Sequence, residues 1–265
     1  MIKEITDSEI ENARKVLSDH LVNPLNREGA LESLLFCIAS QATRWEKASN
    51  FIYSLRRNSQ GDEHKYTSWE DLIDKEKVNA IALENNWRFA YNRRFDEAID
   101  YFQSQRGEWW INIINSDSES REWFCEKIKW LSRKTFSFWH ICLGGTNLLA
   151  LDVYVTKGLS SYGLEINPHF FTPKSRSNEG QKVRKTPSKK EYLRIEYKAK
   201  SFFSQDERFL LPSRRLDMAL VDSLLWWKGA SRKDLNQGNL FGSGVDSWML
   251  PYSRYSFSLP SPNSP

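Results

Sequence analysis

Residues 128–159 read IKWLSRKTFSFWHICLGGTNLLALDVYVTKGL, and this stretch decides the fold. Ser132 or Arg133 opens a helix whose apolar positions recur at helical spacing, and Gly144-Gly145 stops it. A short apolar link, LLAL, then leads to Asp152, an N-cap residue for the next helix. Lys134 therefore falls in the first turn of one helix and Asp152 at the start of another, and the link can bring those two N-termini together. The positive end of a helix dipole disfavours an ammonium and favours a carboxylate. With partial burial added, the reading expects a lysine with free-amine character facing an aspartate, as attack on an electrophilic carbon requires. A surface lysine and an N-cap aspartate are each common, so spacing alone leaves a structural reading open.

Outward from this stretch the pattern stays helical. Residues 7–21 follow Thr6 or Asp7 with Ile10, Ala13, Val16, Leu17 and Leu21 on one face, and residues 28–39 form an apolar helix. Thr43-x-x-Glu46 and Ser68-x-x-Asp71 are further starts, the first a capping-box pattern. Helices are also expected at about 92–105, 119–130, 133–143 and 152–161, then from about Ser188 to Phe203 and from about Ser213 to Lys228. No pair of alternating runs joined by a hairpin turn is present, so the class is all-α. Residues 172–190 are rich in Pro, Ser, Lys and Arg and form a basic loop within an insertion near 165–200. The organisation expected is one helical domain over residues 1–230 and a poorly ordered Ser/Pro-rich tail over 231–265.

Composition narrows the function classes. No apolar run is long enough to span a bilayer, and the start of the chain is charged, which argues against a signal peptide or membrane anchor. Cys37, Cys125 and Cys142 lack disulfide, zinc or iron-sulfur spacing, so a reducing cytoplasm is the expected compartment, and with no nucleotide-binding or metal motif no metal and no cofactor are expected. A net charge of +4 is compatible with a polyanionic partner. Eleven tryptophans suit stacking on unpaired bases, although most such rings serve packing. His140, beside Trp139, reads as a packed residue.

The segment RKTFSFWHICLGGTNLLALDVYV is similar to the part of 8-oxoguanine DNA glycosylases that holds their catalytic lysine and aspartate. The chain thus resembles the helix-hairpin-helix DNA glycosylase superfamily in its archaeal-type branch. The resemblance implies two helical subdomains with a DNA and base cleft between them. It assigns Lys134 to attack on C1′ of the damaged nucleotide and Asp152 to stabilising the sugar cation, with β-elimination of the strand open to the resulting Schiff base.

The match extends to other segments. LLFCIASQATRW resembles the helix-loop that wedges a side chain into the duplex, which makes Gln41 the wedge; capping of its own turn is the equal alternative. Arg44 is a DNA contact and Trp45 a pocket residue on the same match. WRFAYNRRFDEAIDYF gives Arg88, Asn92, Arg93 and Arg94 as phosphate contacts, and Lys129 and Arg133 flank the hairpin. LDMALVDSLLWWKG resembles the helix that closes the base pocket, with Asp222, Trp226 and Trp227 as candidates beside Phe138. Trp226 and Trp227 lie on adjacent faces, so at most one enters the site.

One departure stands out: where the hairpin normally carries glycine-x-glycine, this chain has Trp130 and Ser132. Lys129, Arg133 and the 174–190 loop are the substitutes available for backbone attraction. The expected partner is double-stranded DNA containing a modified base, bound by a monomer and flipped out for excision. The altered hairpin leaves open a bulky or hypermodified viral base in genome defence. A non-catalytic module that binds distorted DNA is the other alternative, against which the retained lysine and aspartate argue.

Overall fold

A computed structural model describes residues 4–22, 25–41, 45–56, 67–85, 89–128, 130–167, 170 and 186–230. Thr43, Arg44, Arg88, Lys129, most of the basic loop and the 231–265 tail lie outside the described residues, as do the side chains of Trp45 and Asn92. Among the described residues the named elements are all helices, with isolated bridge positions at Leu210, paired antiparallel with Leu216, and at Phe170. None of these helices is long and apolar enough to cross a membrane.

The first helix, α1 (Asp7–His20), begins at Thr6 with a reciprocal capping box to Glu9. It is followed by α2 (Arg27–Ala39), α3 (Trp45–Leu55), α4 (Trp69–Ile73), α5 (Lys75–Glu84), α6 (Phe89–Gln103) and α7 (Trp109–Ile114). Ser68 caps α4, as its spacing to Asp71 predicts. Asp74 then restarts the chain as α5. The short α7 has no capping side chain at Glu108, which explains why no start signal marks it.

Next come α8 (Ser118–Lys127) and α9 (Arg133–Cys142), joined by a tight turn, then α10 (Val153–Ser161). The last two helices are α11 (Lys189–Phe203), capped by Ser188, and α12 (Met218–Gly229), capped by Asp217. The expected start of α12 near Ser213 is corrected. Residues 210–216 instead fold back through the Leu210–Leu216 bridge, with Arg214 at a φ of 61° and its amide bonded to Leu211 O.

The buried apolar residues fall into two clusters. One is built on α2, α3, α6 and α9, with the fully buried Trp139 near its centre donating to Ala30 O and Ser33 Oγ. The other joins α1 to α10, α11 and α12, and Leu17 packs against both. The first helix thus crosses back to the last ones. Lys228 of α12 pairs with Glu9 of α1 and locks that return.

Two glycines let α10 and α12 approach backbone to backbone. A Cβ on Gly158 would lie 2.2 Å from Leu225 O, and one on Gly229 would lie 1.8 Å from Tyr154 O. Gly144, at a φ of 88°, ends α9 where the sequence predicts its stop, and Gly145 N closes the turn on His140 O. His140 is fully buried against the Ile113 carbonyl and the Asn147 amide, a packed residue as expected.

Candidate active site at the junction of the two clusters

Lys134 and Asp152 sit where the two clusters meet. Ser132 caps α9 by accepting from Thr135 N at 3.1 Å, which places Lys134 in the first turn. Asp152 caps α10 through one oxygen only: Oδ1 accepts from Tyr154 N at 2.8 Å and Val155 N at 2.9 Å, while Oδ2 carries no hydrogen bond among the described residues. Both N-terminal placements agree with the sequence reading.

The Lys134 ammonium is close enough to act on its neighbours electrostatically. Burial raises the Asp152 carboxyl above its ordinary range, and the Lys134 charge and two amide donors offset part of that rise. Yet Lys134 forms no ion pair among the described residues. Its Nζ rests 4.8 Å from the centre of the Phe138 ring, one turn along α9.

Around this amine stands a wall of rings. His20, at the end of α1, meets Phe138 edge-on at 5.3 Å and Trp226 at 6.3 Å. Trp226 in turn meets Tyr154 at 5.8 Å. The other tryptophan of the pair, Trp227, makes no ring contact or hydrogen bond among the described residues. Burial, helped by the Lys134 charge, lowers the His20 imidazole to about 4, so it is neutral at physiological pH.

Asp222, on α12, is buried, and its Oδ1 accepts from Ala150 N at 2.7 Å. Burial pushes its carboxyl well above the carboxylate range, and the Asp152 charge pushes it further the same way.

His20 and Tyr154 were not singled out from the sequence. Tyr154 lies inside the segment read for Asp152, and its Val-Tyr-Val setting gives no sign that its ring meets Trp226. A lone histidine ending a helix 114 positions before Lys134 carries no signal at all; only the return of α1 across the fold brings it in.

The remaining candidates are more dispersed. Gln41 is half-buried, and its amide is engaged at both ends: Nε2 donates to Thr135 Oγ1 at 2.7 Å, and Oε1 accepts from Arg94. It ties the end of α2 to the start of α9, and wedging would require both bonds to open. Arg93 is exposed on α6 and pairs with Glu97 at 2.8 Å. Arg133 is committed to Glu122, at 2.8 Å from Nε and 2.7 Å from Nη2.

The hairpin between α8 and α9 closes without glycine. Ser132 has ordinary extended angles, and the Leu131 amide turns inward to Ile128 O at 2.9 Å. Ile128 and Leu131 are buried, so side-chain packing supplies what glycine flexibility would otherwise allow.

Among the described residues, no group of His, Cys, Asp or Glu side chains could hold a metal ion. In comparisons with known proteins, no family model, no curated protein and no solved structure matches this chain.

Proposed function

We propose that the chain is a DNA glycosylase with lyase activity, of helix-hairpin-helix type, that flips a modified base out of double-stranded DNA and excises it. The observation that carries this reading is Lys134: a first-turn lysine with no ion pair among the described residues, set on Phe138 and near enough to the capping carboxylate of Asp152 to act on it electrostatically. In this mechanism the amine bonds to C1′ as the glycosidic C–N bond breaks, and the base departs with the electron pair and gains a proton. Asp152, through its unbonded Oδ2, stabilises the positive charge that develops on the sugar. Loss of a proton from the bonded nitrogen lets its lone pair expel O4′, which takes up a proton as the sugar ring opens, and this gives the Schiff base from which the strand can β-eliminate.

Other features support the same reading. Trp226 and Tyr154, both half-buried, offer apolar ring surface beside the lysine's helix, and burial favours the protonated form of Asp222, which could donate a hydrogen bond to an extruded base. The two-cluster architecture, with the site at its junction, suits a cleft that receives a flipped nucleotide.

The test is borohydride trapping on duplexes carrying oxidised, alkylated or hypermodified bases, with released bases read by mass spectrometry. A covalent adduct on at least one duplex, lost in Lys134→Gln, is the expected result. Failure of the whole panel to release a base or trap an adduct, with Lys134→Gln indistinguishable from the parent, would overturn the proposal.

A further inference from the structure

Between Lys134 and Asp152 runs a chain of largely buried charged side chains that takes no part in the proposed chemistry. Arg121, on α8, is completely buried and grips Glu196 of α11 at 2.6 and 3.0 Å. Its Nε also reaches Glu122 at 3.2 Å, and Glu122 holds Arg133, the residue immediately before Lys134. At the other end Glu196 accepts from Leu149 N at 3.2 Å.

Tyr192, under the Arg121 guanidinium at 4.5 Å, bridges the link twice. Its hydroxyl accepts from Leu151 N at 2.9 Å and donates to Leu149 O at 2.8 Å. With Asp222 on Ala150 N, every amide of residues 149–151 is taken by a side chain from α11 or α12. Leu151 immediately precedes Asp152.

Two arginines face two glutamates here, so the network is charge-balanced and needs no outside ion. Burying three of these charges and half-burying the fourth, Arg133, is costly when hydrophobic residues would fill the same space, which points to a role in specifying geometry.

We infer that Tyr192 and Glu196 are positioning residues, which with Arg121 and Glu122 fix the placement of Asp152 relative to Lys134. The inference rests on the proposed function for its catalytic consequence, but its geometric content stands apart from any substrate. A displacement of about 1 Å in such a pair lowers a rate on the order of a hundredfold.

The test uses the full chain with Tyr192→Phe, which keeps the ring under Arg121 and removes only the hydroxyl that holds the link. Single-turnover base release and NMR titration of the Asp152 side chain are followed in parallel. The expected result is a rate about ten- to a hundredfold lower, KM within about twofold of the parent, and a shifted Asp152 titration midpoint. Glu122→Gln, which loosens Arg133 at the other end, should give a smaller loss in the same direction.

A parental rate and a parental Asp152 titration in both variants, with only thermal stability reduced, would overturn the inference. If the parent releases no base from any duplex, the glycosylase reading fails separately, and the titration alone decides on positioning.

Discussion

Gly158→Ala sets two physical effects of opposite sign against each other. In the interior of a helix, alanine is favoured over glycine by about 1 kcal/mol. From local sequence the substitution should therefore stabilise α10. The structure reverses that sign. The new Cβ would stand 2.2 Å from Leu225 O and 2.8 Å from the C and Cα atoms of the same residue, all backbone of α12 that no rotamer change can move.

Ordinary contact begins near 3.4 Å, so the two helices must part by roughly 1 Å along their closest line. Overpacking of this kind costs about 1–3 kcal/mol, and a rigid backbone obstacle belongs at the upper end. After the propensity gain, a net loss of about 2 kcal/mol remains. For a domain of this size that corresponds to roughly 4–8 °C in Tm. Thermal and urea unfolding of the full chain read it directly, with Ser160→Ala as control. Ser160 is exposed on the same helix, and its alanine gains propensity without a clash. The two variants should move in opposite directions. Should Gly158→Ala prove as stable as the parent or more so, alongside Ser160→Ala, the close α10–α12 approach would be wrong.

Two further predictions concern titration. Asp222→Asn keeps an acceptor for Ala150 N while removing a carboxyl that burial holds well above its ordinary range. A raised carboxyl favours the folded state most at low pH and loses that contribution as pH rises from its unfolded value toward the folded one. The variant should therefore gain stability over the parent at pH 8 and lose that advantage at pH 4, as parallel urea titrations would show. Equal effects at both pH values would contradict it. His20 and His140 are both lowered to about 4 from an ordinary 6.5. A histidine kept neutral by the fold contributes stability above 6.5 that is lost as pH falls toward 4, so the unfolding midpoint should drop across that window. His140→Gln should flatten the profile, and an unchanged slope would argue against burial of a neutral ring.

Much of the site was legible because its parts are local. Ser132 and Asp152 are caps whose residue type and spacing announce them, and Gly144 marks the one place where α9 needs a left-handed turn. The all-helical class followed from periodicity for the same reason. What the sequence concealed depends on pairs far apart in the chain. Glu196 looks like any helix glutamate until its partner, 75 positions away, is known to be a buried arginine. The choice of Trp226 over Trp227 is fixed by His20 and Tyr154, which no spacing rule connects to it. Arg133 reads as a phosphate contact by position, yet Glu122, a turn and a hairpin away, has claimed it.

How buried charges are treated in different parts of the molecule is the strongest physical argument for a functional site at the junction. In three places a partner neutralises them. Glu32 is held by Arg56 and by Thr67, Glu9 by Lys228 and the Thr6 amide, and Arg121 by Glu196 and Glu122. At the junction no such pairing forms among the described residues, as at Asp19 and Asp217, where burial likewise raises a carboxyl that has no ion pair. Lys134 forms no ion pair among the described residues although Asp152 and Asp222 are near enough to feel its charge. Both aspartates are pushed upward by burial, and each leaves one oxygen without a hydrogen bond among those residues. A fold selected for stability alone would have closed the lysine onto one carboxylate or replaced both acids with apolar groups. A half-buried lysine without an ion pair among the described residues, beside two raised acids, is the kind of arrangement that recurs where chemistry is done, and so supports the proposed function.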